Sequence, residues 1–156
     1  MEAESPGFAR RPTRMRTTLL AGVFLLVAST SAFAQDVAGT FDVKFDEAGS
    51  TCNPPPVTYT RGKLVVEENK QGITVNIETV PQMVGGHPKK GSFKATTSTA
   101  KATTVQGLDA KYTISGRVDE SGVIGLVFVA EYQANKKPYC VQSWNISGIR
   151  SGSTKK

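Results

Sequence analysis

Apolar and polar residues alternate with a period of two through most of the chain after residue 35. The pattern is clearest where Ile73, Val75 and Ile77 are separated by polar residues. No stretch after residue 35 keeps a helical apolar face for three turns. Because successive side chains of a strand point to opposite faces, this alternation predicts an all-β protein.

Seven or eight such stretches follow one another, separated by short runs of turn-forming residues. Consecutive antiparallel strands tend to curl, since closure removes the exposed edges that favour aggregation. We therefore predict one single-domain antiparallel up-and-down β-barrel over residues 35–150, followed by a flexible tail at 151–156. A β-sandwich of two sheets is the alternative, because alternation does not distinguish the two folds.

Two segments of this domain are expected to interrupt the strands. Residues 46–50 have the composition of a turn after the first strand. Residues 81–91 contain two prolines and three glycines and predict a long mobile loop in which Met83 and Val84 are exposed.

The first 34 residues have the three parts of an export signal. Four arginines form a basic region, residues 19–27 an apolar stretch, and residues 32–34 a small-x-small cleavage site. The apolar run is shorter than the about 20 residues that a membrane helix needs. We expect a signal peptide over 1–34, with Met15 as an alternative start, and a periplasmic or secreted mature protein without a membrane span.

The charge of the mature chain is mildly basic. Without residues 1–34 it holds fifteen Lys and Arg against eleven Asp and Glu, a net charge of +4. Its arginines, Arg61, Arg117 and Arg150, lie far apart, whereas nucleic-acid-binding surfaces interleave clustered arginines with aromatic residues. We expect a soluble monomer that does not bind nucleic acid.

The two cysteines, Cys52 and Cys140, predict one disulfide. An even number of cysteines in an exported protein most simply means that they are paired. A metal site is not expected, because His87 is the only histidine and no third soft ligand is present.

Catalytic chemistry is not expected either. A hydrolytic triad needs a histidine oriented by a carboxylate, and His87 lies between Gly86 and Pro88 in the predicted loop. No spacing of carboxylates indicates an acid–base pair, and phosphate-binding glycine motifs are absent from the sequence. We therefore predict neither catalytic residues nor a cofactor.

Binding of a small apolar ligand is the preferred hypothesis. A small barrel can hold one ligand where its inward side chains are small at one end. The candidate ligand-binding residues are aromatic residues of the predicted strands, and the indole N–H of one of them needs a partner that a cavity mouth would supply. They are Tyr112, Phe128, Tyr132 and Trp144.

The alternative hypothesis is a protein-interaction module or enzyme inhibitor that acts in the periplasm or outside the cell. Its partner would be an envelope or extracellular protein. The contact surface would be the loop containing Met83 and His87, or the turn containing Lys136, Lys137 and Tyr139 beside the disulfide.

Four residues resemble a motif of the calycin superfamily, which includes lipocalins, fatty-acid-binding proteins and avidins. The first strand contains Gly39-Thr40-Phe41, and Arg150 ends the last strand. In calycins a Gly-x-Trp and a terminal Arg pack together where the barrel closes; here Phe41 replaces the Trp. The resemblance implies a barrel closed by Gly39, Phe41 and Arg150, with the guanidinium over the ring of Phe41 and near free carbonyls.

Overall fold

The computed structural model describes residues 36–152, and every regular element in this range is a β-strand. The strands are β1 (Gly39–Ser50), β2 (Arg61–Asn69), β3 (Gly72–Ile77), β4 (Met83–Gly85), β5 (Ser92–Thr96), β6 (Ala100–Lys101), β7 (Asp109–Val118), β8 (Val123–Ala134) and β9 (Lys137–Arg150). Over this range no helix has the length and hydrophobicity that a membrane crossing requires. The all-β prediction is confirmed.

The antiparallel strands form one sheet that closes on itself. β1 pairs with β2 on one side and with β9 on the other, and β5 pairs with β7. Hydrogen bonds therefore run around a ring in the order β1-β2-β3-β4-β5-β7-β8-β9. This barrel-like ring confirms the up-and-down prediction, and its single sheet excludes the two-sheet sandwich.

β6 accounts for the difference between the nine strands observed and the seven or eight predicted. β5 pairs with residues 113–117 of β7, and β6 pairs with Asp109 and Ala110 of the same strand. Between them, the backbone N–H of Thr97 donates to the carbonyl oxygen of Tyr112 at 2.9 Å, and the hydroxyl of Thr97 accepts from the N–H of Tyr112 at 3.0 Å. Eight strands thus form the ring, and β6 continues the line of β5 along β7.

The core fills the inside of the ring. In β8 every second residue from Ile124 to Tyr132 is buried, whereas Val123 and Val127 on the outer face are each 44% exposed. The same alternation holds along the other long strands. Each long strand therefore has one apolar face inside the ring and one face in solvent, as the period of two requires.

The ring has two ends. At the end called here the Arg150 end, β1 begins at Gly39 and β9 finishes at Arg150. At the opposite end, called the aromatic end, β1 finishes at Ser50 and β9 begins at Lys137.

Arg150 fastens the first strand to the last at the Arg150 end. Its guanidinium carbon lies 5.3 Å from the centroid of the Phe41 ring. Nη2 donates to the carbonyl oxygen of Asp36 at 2.7 Å, and Nη1 donates to that of Ala38. Gly39 has a φ of +150°, and a Cβ there would lie 3.0 Å from Nη1 of Arg150, so a side chain at this position would press on the guanidinium.

The prediction of a long loop with an exposed Met83 is wrong. Residues 83–85 form β4, in which Met83 lies opposite Val75 and is fully buried, while Val84 is 56% exposed. A Cβ on Gly85 would lie 2.0 Å from the carbonyl oxygen of Lys94. The glycine therefore permits two backbones to approach closely, and the tight packing of β4 against its neighbours turns Met83 into the core.

The predicted turn at residues 46–50 is also wrong. β1 continues through this stretch to Ser50 and pairs with β9, with a bulge between Glu47 and Gly49. A bulge inserts an extra residue while the ladder continues. The extra residue breaks the alternation of apolar and polar residues, so this part of β1 looks like a turn in the sequence.

The predicted disulfide is confirmed at the aromatic end. Cys52 and Cys140 are bonded, with their Cα atoms 5.0 Å apart and each residue 7% exposed. A buried disulfide of this kind indicates an oxidising, exported environment. The predicted signal peptide over 1–34, the alternative start at Met15 and residues 153–156 of the predicted tail lie outside the described residues.

Removing the disulfide is expected to lower stability without changing the strand content. The bond closes a loop between residues 88 apart in sequence. For loops of this size the chain-entropy model gives about 4.6 kcal/mol. Urea unfolding of the mature protein, oxidised and reduced, together with the Cys52→Ser, Cys140→Ser double variant, measures this difference. Equal unfolding midpoints for the oxidised and reduced protein would contradict it.

Replacing Arg150 by alanine is expected to destabilise the protein by about 2–3 kcal/mol, since hydrogen bonds from a charged donor and a cation–π contact are lost together. Arg150→Lys keeps the positive charge but loses the planar guanidinium with its two donating nitrogens. This variant should therefore recover less than half of the stability that Arg150→Ala loses. Arg117 is exposed on β7, so Arg117→Ala is the matched control, with a change within about 0.5 kcal/mol. Denaturant unfolding measures the free energy of unfolding of each variant. If Arg150→Ala changes it no more than Arg117→Ala does, Arg150 does not fasten the ring.

Candidate functional site

A cluster of aromatic rings fills the inside of the ring towards the aromatic end. The strand register builds it, because Phe128 lies directly opposite Trp144 in the β8–β9 pair. The rings of Phe128 and Trp144 are 5.4 Å apart at 29°, and those of Tyr112 and Phe128 are 5.9 Å apart at 8°. Three rings from three neighbouring strands thus form one stacked row.

Tyr59 covers this row from the segment that joins β1 to β2. Its ring meets Trp144 edge-on at 5.2 Å and 75°, and Phe128 at 6.0 Å and 69°. On its other side it lies 5.2 Å from Phe45. We call Phe45, Tyr59, Tyr112, Phe128 and Trp144 the aromatic cluster.

The segment carrying Tyr59, residues 53–60, is called the strap. The disulfide at Cys52 fixes its beginning, and the carbonyl oxygen of Thr60 accepts from the backbone N–H of Phe45 at 2.9 Å near its end. Between these points Nε2 of Gln142 donates to the carbonyl oxygen of Val57 at 2.7 Å. The strap is thus tied at both ends and once in the middle, with no strand pairing of its own.

Small side chains accompany the large ones. Ala130 lies between Tyr112 on β7 and Gln142 on β9, and Ala110 lies opposite Tyr132. Both alanines are fully buried or nearly so. The two inward tyrosines of β7 and β8, Tyr112 and Tyr132, therefore each lie opposite an alanine.

Six polar atoms around the cluster are buried and have no hydrogen-bond partner within 3.5 Å among the described residues. They are the hydroxyls of Tyr59, Thr104, Tyr112 and Tyr132, Oε1 of Gln142 and Nε1 of Trp144. Threonine hydroxyls lie near two of them: those of Thr79 and Thr104 lower the pKa of Tyr59, and those of Thr104 and Thr103 that of Tyr112, against the larger effect of burial. Tyr112, Tyr132, Gln142 and Trp144 are each at most 1% exposed as whole residues. Buried polar groups in folded proteins are normally paired, and each one left unpaired costs about 1–3 kcal/mol.

The three phenols remain protonated well above neutral pH. Burial raises the pKa of Tyr59, Tyr112 and Tyr132, most strongly for Tyr132. The charge that an ionised Tyr112 would carry raises the pKa of both other phenols further, so the three side chains share one neighbourhood. Each therefore offers a hydroxyl that can donate and accept.

All four predicted ligand-binding residues lie in this part of the interior. Tyr112, Phe128 and Trp144 form the stacked row, and Tyr132 follows Ala130 on the inward face of β8. Tyr59 and Gln142 also lie here, and neither is among the four predicted ligand-binding residues. Gln142 lies two residues from both Cys140 and Trp144 on β9 and so points to the same inward face. A polar residue on an inward face is the sequence signal that could have identified it.

The predicted interaction residues do not form one surface. His87 lies near the Arg150 end, with Nδ1 3.7 Å from a carboxylate oxygen of Glu68. Lys136 and Lys137 are at the turn between β8 and β9 at the aromatic end, where Tyr139 is 60% exposed.

The described residues hold no group of three or more His, Cys, Asp or Glu side chains able to bind a metal ion. Comparisons with protein-family models, curated protein sequences and solved structures gave no match.

Alkaline unfolding tests the burial of the phenols. A tyrosine whose pKa is raised by folding contributes stability that is present below its unfolded pKa of about 10 and is lost as pH rises beyond it, by up to about 1.4 kcal/mol per pH unit and group. We expect the unfolding midpoint to fall between pH 9 and pH 12, and Tyr132→Phe to reduce that fall.

At pH 7 the Tyr132→Phe variant should be at least as stable as the natural protein, because it removes a buried hydroxyl without a partner. Tyr139→Phe, at an exposed position, is the control and should follow the natural protein throughout. Urea unfolding at each pH measures both effects. A loss of more than about 1 kcal/mol for Tyr132→Phe at pH 7 would mean that its hydroxyl makes a hydrogen bond in the folded protein.

Proposed function

We propose that this chain is an exported, non-catalytic binding protein that holds a small, largely apolar ligand inside the aromatic end of its ring. The observation that carries the proposal is the set of buried polar atoms without partners around stacked aromatic rings. A binding site places a few polar groups among apolar walls. An interior built for stability alone would pair those groups or replace them.

The strap offers a way in for the ligand. Tyr59 is half-buried, and its segment has no strand pairing. From outside, a groove of about 120 Å³ between the start of β2 and the end of β3 reaches Tyr59 and Phe45. Movement of the Tyr59 ring away from Trp144 would open the aromatic cluster to this groove while the disulfide keeps the strap attached.

The setting of the protein agrees with this proposal. The disulfide suits a chain that works in the periplasm or outside the cell. The closed ring and the contact of Arg150 with Phe41 support a kinship in architecture with calycin barrels. A shared architecture does not define a ligand, so the ligand is argued from the interior alone.

A neutral lipophilic dye tests the proposed function. N-phenyl-1-naphthylamine should bind residues 35–156 with a saturable rise in its fluorescence and quench the single tryptophan, Trp144. Ala130→Leu adds carbon atoms beside Tyr112 and should weaken this binding tenfold or more. Val127→Leu adds one carbon atom on the outer face of the same strand, where the residue is 44% exposed, and should leave binding unchanged.

Circular dichroism and thermal melting of both variants establish that they fold. Absence of saturable dye binding by the natural protein, or equal weakening by the two variants, would overturn the proposed function.

A further inference from the structure

The unpartnered atoms of the aromatic end are mostly hydrogen-bond donors. The indole N–H of Trp144 can only donate, and the hydroxyls of Tyr112 and Tyr132 can each donate one hydrogen bond. Gln142 already uses Nε2 to bind Val57, so its remaining polar atom, Oε1, is an acceptor. A ligand that satisfies these atoms needs several acceptors and one donor.

The interior offers nothing to balance a charge. No Asp, Glu, Lys, Arg or His residue is buried within the described range. The carboxylate of Glu47, which accepts from Nε2 of Gln142 at 3.3 Å, belongs to an exposed residue. Arg61 and Lys63 line the outer groove beside Tyr59, but both are exposed to solvent. Arg150 lies at the opposite end, over Phe41. An ionised group among the aromatic residues would lose its hydration without gaining a counter-ion, which is costly.

The row of rings favours a flat molecule. Tyr112 and Phe128 are within 8° of parallel, and Phe128 and Trp144 within 29°. Aromatic rings add stacking energy to the burial of area when their planes align with an offset. The side chains opposite Tyr112 and Tyr132 are the small ones of Ala130 and Ala110.

From these three observations, and resting on the proposed function, we propose that the ligand is a neutral, flat, conjugated molecule with at least two acceptor oxygens and one donor group. Its acceptor oxygens face the indole N–H of Trp144 and the hydroxyls of Tyr112 and Tyr132. Its donor group faces Oε1 of Gln142, and the ring of Tyr59 covers it.

Three probes of similar size test the chemistry of the ligand. Naphthalene is flat and has no acceptor, coumarin is flat and neutral with two lactone oxygens, and coumarin-3-carboxylate adds a negative charge. Their affinities for the oxidised mature protein are measured by displacement of N-phenyl-1-naphthylamine. Coumarin should bind at least tenfold more tightly than naphthalene, and coumarin-3-carboxylate at least tenfold more weakly than coumarin.

Removing single hydroxyls identifies the donors. Tyr112→Phe and Tyr132→Phe should each weaken coumarin binding about fivefold to tenfold, the effect of one hydrogen bond, and leave naphthalene binding unchanged. Tyr139 is exposed near the beginning of β9. Tyr139→Phe should therefore change the binding of neither coumarin nor naphthalene. Because these variants keep the ring of the side chain, melting curves close to the natural protein should show that they fold.

The possible failures are distinct. If the dye and naphthalene bind but coumarin binds no better than naphthalene, or if Tyr→Phe affects both probes equally, the ligand class is wrong and the proposed function stands. If coumarin-3-carboxylate binds as tightly as coumarin, the requirement for a neutral ligand is wrong. If neither the dye nor any probe binds, the proposed function fails and the ligand class fails with it.

Discussion

The pairing of β1 with β9 is the constraint on which the rest of the structure depends. Without it the sheet would be an open meander with two free edges, and the inward faces would have no enclosed interior to share. Arg150 holds this pairing at one end through Phe41 and two backbone carbonyls. The disulfide beyond the last residue of β1 holds the other end by joining Cys52 to β9.

Closure creates an interior with two different ends. Towards the Arg150 end the inward residues are aliphatic or Phe, for example Leu64, Val118 and Ile124, and all three are nearly or completely buried. Towards the aromatic end the inward residues carry hydroxyl, amide and indole groups that the described protein does not pair. One end therefore contributes packing energy, and the other gives up some stability. A stability cost concentrated at one end is typical of a functional site.

Alternation along single strands was enough to predict the all-β fold, because a period of two reports which face of a strand is buried. The ring was predicted from the number of consecutive strands and the need to remove free edges, with a sandwich as the alternative. Alternation also placed Tyr112 and Trp144 on the apolar faces of their strands, whereas the residues around Phe128 looked apolar on both faces. It did not predict that Met83 is buried, since three residues of β4 are too short a stretch to show a period. It mistook residues 46–50 for a turn, because the bulge at Glu47 and Gly49 interrupts the alternation without ending the strand.

The binding site was harder to predict than the fold for a related reason. The site depends on which residues lie opposite one another across strands, and strand periodicity does not carry that information. Only the register brings Phe128 opposite Trp144 and sets Ala130 between Tyr112 and Gln142. The sequence pattern put Tyr59 in the second strand, but β2 begins only at Arg61. Tyr59 lies in the strap, which has no strand pairing and is positioned by the disulfide and by Gln142.

The central claim is that the polar atoms of the aromatic end face a ligand, and Trp144 offers the most direct test. As the single tryptophan of the chain, it gives one indole N–H resonance in a proton–nitrogen correlation spectrum of labelled residues 35–156. The account predicts that titration with coumarin shifts this resonance more than any backbone amide of the outward residues of β8 and β9. An indole resonance that stays unchanged while outer-face amides shift would contradict the account and place the contact on the outside of the ring.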